Sequence, residues 1–148
     1  MPAITKANSG QPGAIRIHVA LIGCNHLTAP VELRERVTFT PQQALQAADE
    51  LRDRGILEEA VVLSTCNRSE VYGVPGDANS APAEAMEDYF RSFHRIGKAD
   101  LEGRVYRWTG PDAVRHLFRV AAGVDSMMLG EAEILGQLRT AYSQALDH

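Results

Sequence analysis

The sequence predicts an α+β fold, a ferredoxin-like sandwich whose antiparallel sheet has the order βαββαβ and is followed by further helices. Three observations carry this reading. Short stretches alternate apolar and other residues with the period of a strand. Two segments with helical periodicity lie between them. A gap of only three residues, Cys66, Asn67 and Arg68, joins the middle two stretches as a hairpin.

The first strand is expected from Ile15, Ile17, Val19 and Leu21, which alternate up to Gly23 as a half-buried strand would. Thr40, Pro41 and Gln43 supply an N-cap, a first-turn proline and a capping-box partner, and Ala44, Ala48 and Leu51 follow on one helical face until Gly55. Residues Ala60 to Thr65 and Ser69 to Val74 are rich in β-branched or aromatic side chains and read as the two arms of the hairpin, with Cys66 at its tip. Ser80 and Pro82 open a second helix whose Met86, Tyr89, Phe90 and Phe93 fall at i, i+3, i+4 and i+7, the spacing of a core face. Arg104 to Trp108 forms the fourth strand.

Two helical segments come after the sheet. The first starts near Pro111, shows an apolar stripe of Val114, Leu117, Phe118 and Ala121, and ends near Gly123. His116 then lies roughly 150° from the centre of that stripe, on the polar side with Arg115 and Arg119, and is not expected to be a core histidine. The second segment carries Ile134, Leu138, Ala141 and Ala145 and meets no stop signal before His148, as expected for a fragment of a longer protein. At 148 residues and 45% hydrophobic content, one core is expected. The expected organisation is a disordered leader over 1–14, a main domain over 15–123, and a segment over 124–148 that holds the last helix.

Composition restricts the function. No apolar run approaches the roughly 20 residues of a membrane span, and the N-terminus lacks the regions of a signal peptide, so a cytoplasmic location is expected. There Cys24 and Cys66 stay reduced. The net charge of −4 argues against general nucleic-acid binding. Yet between Arg91 and Arg119 seven Lys or Arg face three acids, a local +4 that can meet phosphates.

A hairpin tip lifts the Cys66 sulfur out of the sheet, and Arg68, two residues on, is a cation that favours a thiolate. From the residues alone a reactive thiol and an inert, packed cysteine both remain open, the second being common. Three stretches then bear on the choice. They are Gly23-Cys24-Asn25-His26 with Ala29 to Glu35; Ser64-Thr65-Cys66-Asn67-Arg68-Ser69-Glu70-Val71-Tyr72; and His116 to Val120 with Gly123 to Ser126 and Leu129 to Gln137. In this order they resemble the signature segments of the glutamyl-tRNA reductase family, and together they span nearly the whole chain after the leader.

The resemblance implies an enzyme in which Cys66 displaces tRNA from glutamyl-tRNA to leave a glutamyl thioester, and NADPH then delivers hydride to give glutamate-1-semialdehyde for 5-aminolevulinate and tetrapyrrole synthesis. It also implies a glutamate pocket at Thr65, Asn67, Arg68, Ser126, Glu131, Ala132, Glu133 and Gln137, with Arg68 the natural partner of a carboxylate because of its planar fork. His116 matches a family histidine important for activity, a general acid or base or an orienting partner near the leaving ribose oxygen. The implied partners are glutamyl-tRNA, a glutamate-1-semialdehyde aminotransferase downstream, and a second copy of the full-length protein.

Cys24 stands where the family more often has an aliphatic residue and is read as packing. Ala132 and Glu133 replace the more frequent Pro and Gln. His26 lies beside a family motif and is read as structural. No Gly-x-Gly-x-x-Gly follows a strand, so the NADPH-binding and dimerisation domains are expected outside these residues, and the resemblance makes 124–148 the glutamate-pocket segment and the start of the long connector helix that leads to them. Two rivals remain. A zinc module built from Cys24, His26, Cys66 and His116 lacks paired Cys-x-x-Cys spacing, and no metal is expected. A catalytically idle RNA-binding domain of ferredoxin-like fold would use the Arg91 to Arg119 segment, but lacks the aromatic signature of base-stacking sheets.

Overall fold

In chain order the elements are β1 (Ala20–Asn25), α1 (Val31–Arg36), α2 (Pro41–Asp53), β2 (Leu57–Ser64), β3 (Arg68–Pro75), α3 (Pro82–His94), α4 (Lys98–Leu101), β4 (Tyr106–Thr109), α5 (Pro111–Ala121) and α6 (Glu133–Leu146). They come from a computed structural model that describes residues 18–76, 81–127 and 133–147. The strands form one antiparallel sheet in the order β2-β3-β1-β4, so the expected ferredoxin-like sandwich is the one observed. Ile15, Ile17, Ser80, Glu131, Ala132 and the leader lie outside the described residues.

Local chemistry explains the best-defined helix. Thr40 accepts from the Gln43 amide while the Gln43 side chain accepts from the Thr40 amide, a complete capping box with Pro41 in the first turn. Its Ala47, Ala48 and Leu51 pack with Met86, Tyr89 and Phe90 of α3 against Ala20, Ile22 and Cys24 on one side of β1. On the other side, Leu21, Leu63 and Tyr72 pack with Ala113 and Val120 of α5 and with Ile134 and Ala141 of α6.

Helices therefore cover both faces of the sheet, and this corrects the first strand. It runs from Ala20 to Asn25, and all six residues are buried. The alternation separates its two faces, but neither is left to solvent because α5 and α6 close the second. Two short helices, α1 and α4, were not anticipated. Each buries a single leucine, Leu33 or Leu101, too little to show a periodic pattern.

The reading of α5 is corrected too. Its packed face is Ala113, His116, Leu117 and Val120, rotated by one residue, about 100°, from the expected stripe. Phe118 is 70% exposed and joins Pro111, Val114, Ala122 and Val124 in an open apolar surface. His116 thus points into the protein and away from Arg115. The helix does end at Gly123, whose φ of 72° lets the Val124 amide reach back to the Arg119 carbonyl at 3.1 Å.

Candidate active site

The hairpin between β2 and β3 closes where the Thr65 amide donates to the Arg68 carbonyl at 2.8 Å, leaving Cys66 and Asn67 as a two-residue tip. The Asn67 amide donates to the Thr65 hydroxyl at 3.2 Å, so both flanking residues of the expected pocket shape the turn itself. Arg34 of α1 steadies it from outside: its Nε donates to the Cys66 carbonyl at 3.4 Å and its Nη1 to the Ala29 carbonyl at 2.9 Å. The result is an exposed Cys66 thiol on a braced turn. Cys24 differs in every respect. It is fully buried, and desolvation pushes its thiol up to about 11, so it packs as the sequence predicts.

The strand that leaves the tip carries a polar cluster around Glu70, which is wholly buried on β3. Arg68 Nη1 donates to Glu70 Oε1 at 3.1 Å, the Tyr106 hydroxyl to the same oxygen at 2.5 Å, and the Tyr72 hydroxyl to Oε2 at 2.7 Å. His116 Nε2 lies 2.6 Å from Oε1. Burial alone would raise the Glu70 carboxyl, but the hydrogen bond from His116, the Arg68 cation and Tyr106 hold it below the usual carboxylate range. Burial and the neighbouring Glu70 charge push both phenols up, so they remain donors. Gly23, opposite Glu70 in the β1–β3 register, makes room for this cluster: a Cβ there would stand 2.7 Å from Glu70 Cγ.

Arg68 continues the network outward. Only 2% exposed, it donates from Nη2 to the Asp125 carbonyl at 2.8 Å. Asp125 is in turn clasped by Arg119 at 2.8 and 3.2 Å, which holds its carboxyl below the ordinary range. This contact brings the loop that carries the half-buried Ser126 to the base of the hairpin. His26 is close enough to feel the same charges: burial first, then Arg68 and Arg34, lower its pKa, and its Nδ1 is buried without a hydrogen bond.

The expected site residues therefore fall into two groups. Arg68, His116 and the Ser126 loop meet around Glu70, on the strand that follows the Cys66 tip. Glu133 and Gln137 instead line a cleft of about 540 Å³ that runs between α2 and α6 past Ser64, with Thr40 and Thr140 on its walls. Glu131 and Ala132 lie outside the described residues. Sequence reasoning missed Glu70, Tyr72, Tyr106 and Arg34. Glu70 and Tyr72 stand in the same motif as Cys66, and a Glu inside a buried strand is itself a signal that donors surround it.

Among the described residues no three metal-ligating side chains gather in one place. No described helix is long and apolar enough to cross a membrane. Four arginines of the basic segment, Arg91, Arg107, Arg115 and Arg119, pair with Asp88, Glu87, Asp112 and Asp125, which reduces the charge left for phosphates.

Comparison with known proteins identifies the family. The family described as "Glutamyl-tRNAGlu reductase, N-terminal domain" matches residues 22–148. A glutamyl-tRNA reductase of Marinobacter nauticus is 51% identical over 127 residues, covering 86% of this chain and 29% of the relative. That of Stenotrophomonas maltophilia is 48% identical over 128 residues, covering 86% and 28%. The solved glutamyl-tRNA reductase of Methanopyrus kandleri superposes with a TM-score of 0.70 at 33% identity, over 87% of this chain and 28% of that one. The chain thus spans less than a third of the length of these relatives, and it belongs to the glutamyl-tRNA reductase family, matching its N-terminal domain.

Proposed function

We propose that this chain carries the acyl-transfer half of glutamyl-tRNA reduction, with Cys66 as the nucleophile. The Cys66 sulfur bonds to the carbonyl carbon of the glutamyl ester, the bond from that carbon to the ribose oxygen breaks, and the thiol proton ends on the released ribose hydroxyl. The product is a glutamyl thioester, more electrophilic than the ester it replaces. The observation that carries the reading is the exposed thiol on a hairpin braced by Arg34, two residues before the Arg68 that enters the buried cluster with Glu70 and His116.

In this reading Thr65, Asn67, Arg68 and Ser126 hold the glutamyl group beside Cys66, and the family resemblance adds Glu131, Ala132, Glu133 and Gln137, of which Glu133 and Gln137 line the cleft that passes Ser64. Arg68 supplies the cation for the glutamyl carboxylate with donors beyond the two used on Glu70 and Asp125, since a guanidinium has five. His116 moves or holds the proton. The residues present do not fit a nicotinamide dinucleotide. The sheet is antiparallel, without the parallel βαβ crevice such cofactors occupy, and no Gly-x-Gly-x-x-Gly follows a strand. Reduction by NADPH to glutamate-1-semialdehyde, and its onward use by an aminotransferase for tetrapyrroles, are therefore assigned to the larger, dimeric and cytoplasmic protein. The rival RNA-binding reading needs an open sheet face on which bases stack, and helices cover both faces here.

The test uses glutamyl-tRNA labelled in the glutamyl group. Wild-type chain and Cys24→Ser should take up label in a hydroxylamine-sensitive adduct mapped to residue 66, while Cys66→Ser should take up none. Equal labelling of Cys66→Ser, or loss of label in Cys24→Ser despite a native fold, would overturn the assignment of the nucleophile.

A further inference from the structure

The geometry points to Glu70 as a positioning residue that decides which nitrogen of His116 works: Nε2 is committed to Glu70, and Nδ1 is the nitrogen that exchanges a proton with the substrate. This inference rests on the acyl-transfer reading above.

Glu70 has no exposure, and four donors converge on its two oxygens: Arg68, which always carries its protons, two phenol hydroxyls, and His116. A carboxyl ringed by donors and paired with a guanidinium is an acceptor only, and its lowered pKa agrees. At 2.6 Å from such an oxygen, His116 Nε2 must carry a hydrogen. In the neutral ring that leaves the lone pair on Nδ1. Tyr106 fixes the ring plane, with its centroid 4.9 Å away.

Nδ1 is also the accessible nitrogen. No hydrogen bond reaches it among the described residues, and it is absent from their buried unpartnered polar atoms, which are His26 Nδ1, Arg91 Nε and His94 Nε2. The His116 side chain keeps 12% of its surface open. The charged groups that face it are Glu70 and Arg68 from β3, and Asp125, held by Arg119, from the loop after α5. During acyl transfer the thiol loses a proton as the S–C bond forms, and the ribose oxygen gains one as the C–O bond breaks. Nδ1 takes and returns that proton, with no net change in the ring.

Because one carboxylate holds both Arg68 and His116, the group that binds substrate and the group that moves its proton are fixed relative to each other. A Gln at position 70 would break this in a specific way. Its amide NH2 can donate to Nε2, which moves the ring hydrogen to Nδ1 and removes the lone pair from the working side.

The experiment is ¹⁵N NMR of the histidine rings in the 148-residue chain, with His116 assigned by the signals lost in His116→Gln. The expected result is an Nε2–H tautomer for neutral His116, and for Glu70→Gln a shift toward Nδ1–H with Cys66 acylation slowed by about 10²-fold or more. A neutral wild-type ring protonated on Nδ1 would overturn the inference whether or not the Gln variant folds. So would a Glu70→Gln protein that acylates at the wild-type rate with its tautomer changed. Failure of the acyl-transfer reading looks different: wild type then takes no label from glutamyl-tRNA, whatever tautomer the ring shows.

Discussion

Alkylation of the native chain should modify Cys66 and spare Cys24, and the structure sets the size of the difference. The perturbation is iodoacetamide at pH 8, which reacts with thiolate. Burial pushes Cys24 from 9.0 to about 11, which lowers its thiolate fraction about 100-fold relative to an unperturbed thiol. Cys24 is also fully buried between β1 and the α2/α3 layer, so the reagent reaches it only when that layer opens. Cys66 is exposed, so the reagent reaches it without any such opening. Peptide mapping over time should thus give a Cys24 rate at least about 100-fold below that of Cys66, rising to parity in denaturant. The sign of the pH effect also follows. A thiol whose folded pKa is raised keeps its proton in the fold, so its stabilisation is complete below pH 9 and is lost as pH climbs toward 11. Comparable native rates at the two cysteines would refute the burial argument and the separation of the two thiols.

Two further outcomes are expected. Arg68→Lys should destabilise the chain by about 1–3 kcal/mol in urea titrations, because one ammonium cannot serve both Glu70 and the Asp125 carbonyl and leaves a buried acceptor short; an unchanged midpoint would count against the two-armed role. His94, packed against Phe39, Phe90 and Phe93 with its Nε2 unpartnered, is pushed down to about 4 by burial. The fold therefore holds it neutral while the unfolded chain takes a proton below about 6.5, so stability is complete above that pH and falls until pH reaches about 4. After allowance for its partial exposure the loss is about 2 kcal/mol. His94→Leu should remove this slope, and an identical slope in the variant would refute the assignment.

Much of the chain can be read locally. The α2 start needs only Thr40, Pro41 and Gln43, whose mutual hydrogen bonds span three residues. The hairpin needs only two β-rich arms and a short gap, so the exposed tip at Cys66 is legible in the sequence. Element order then implied the sheet, because a βαββαβ chain with a tight hairpin has few ways to pair its strands. The glutamate-pocket residues came from resemblance to the family, not from spacing.

Other features were decided only by tertiary structure. Which face of α5 packs was misread because periodicity reports where apolar residues lie, while the packed face is chosen by what the neighbouring sheet offers. Here the sheet offers a buried carboxylate, so His116 turns inward to meet Glu70 and Phe118 is left in solvent. The burial of both faces of β1 likewise depends on α5 and α6 returning over the sheet, a contact between residues far apart in sequence. The Glu70 cluster draws its donors from positions 68, 72, 106 and 116, on β3, β4 and α5. No local rule links those positions. A buried charge is tolerated only where its full set of partners converges in space, and that convergence exists only once the elements have packed.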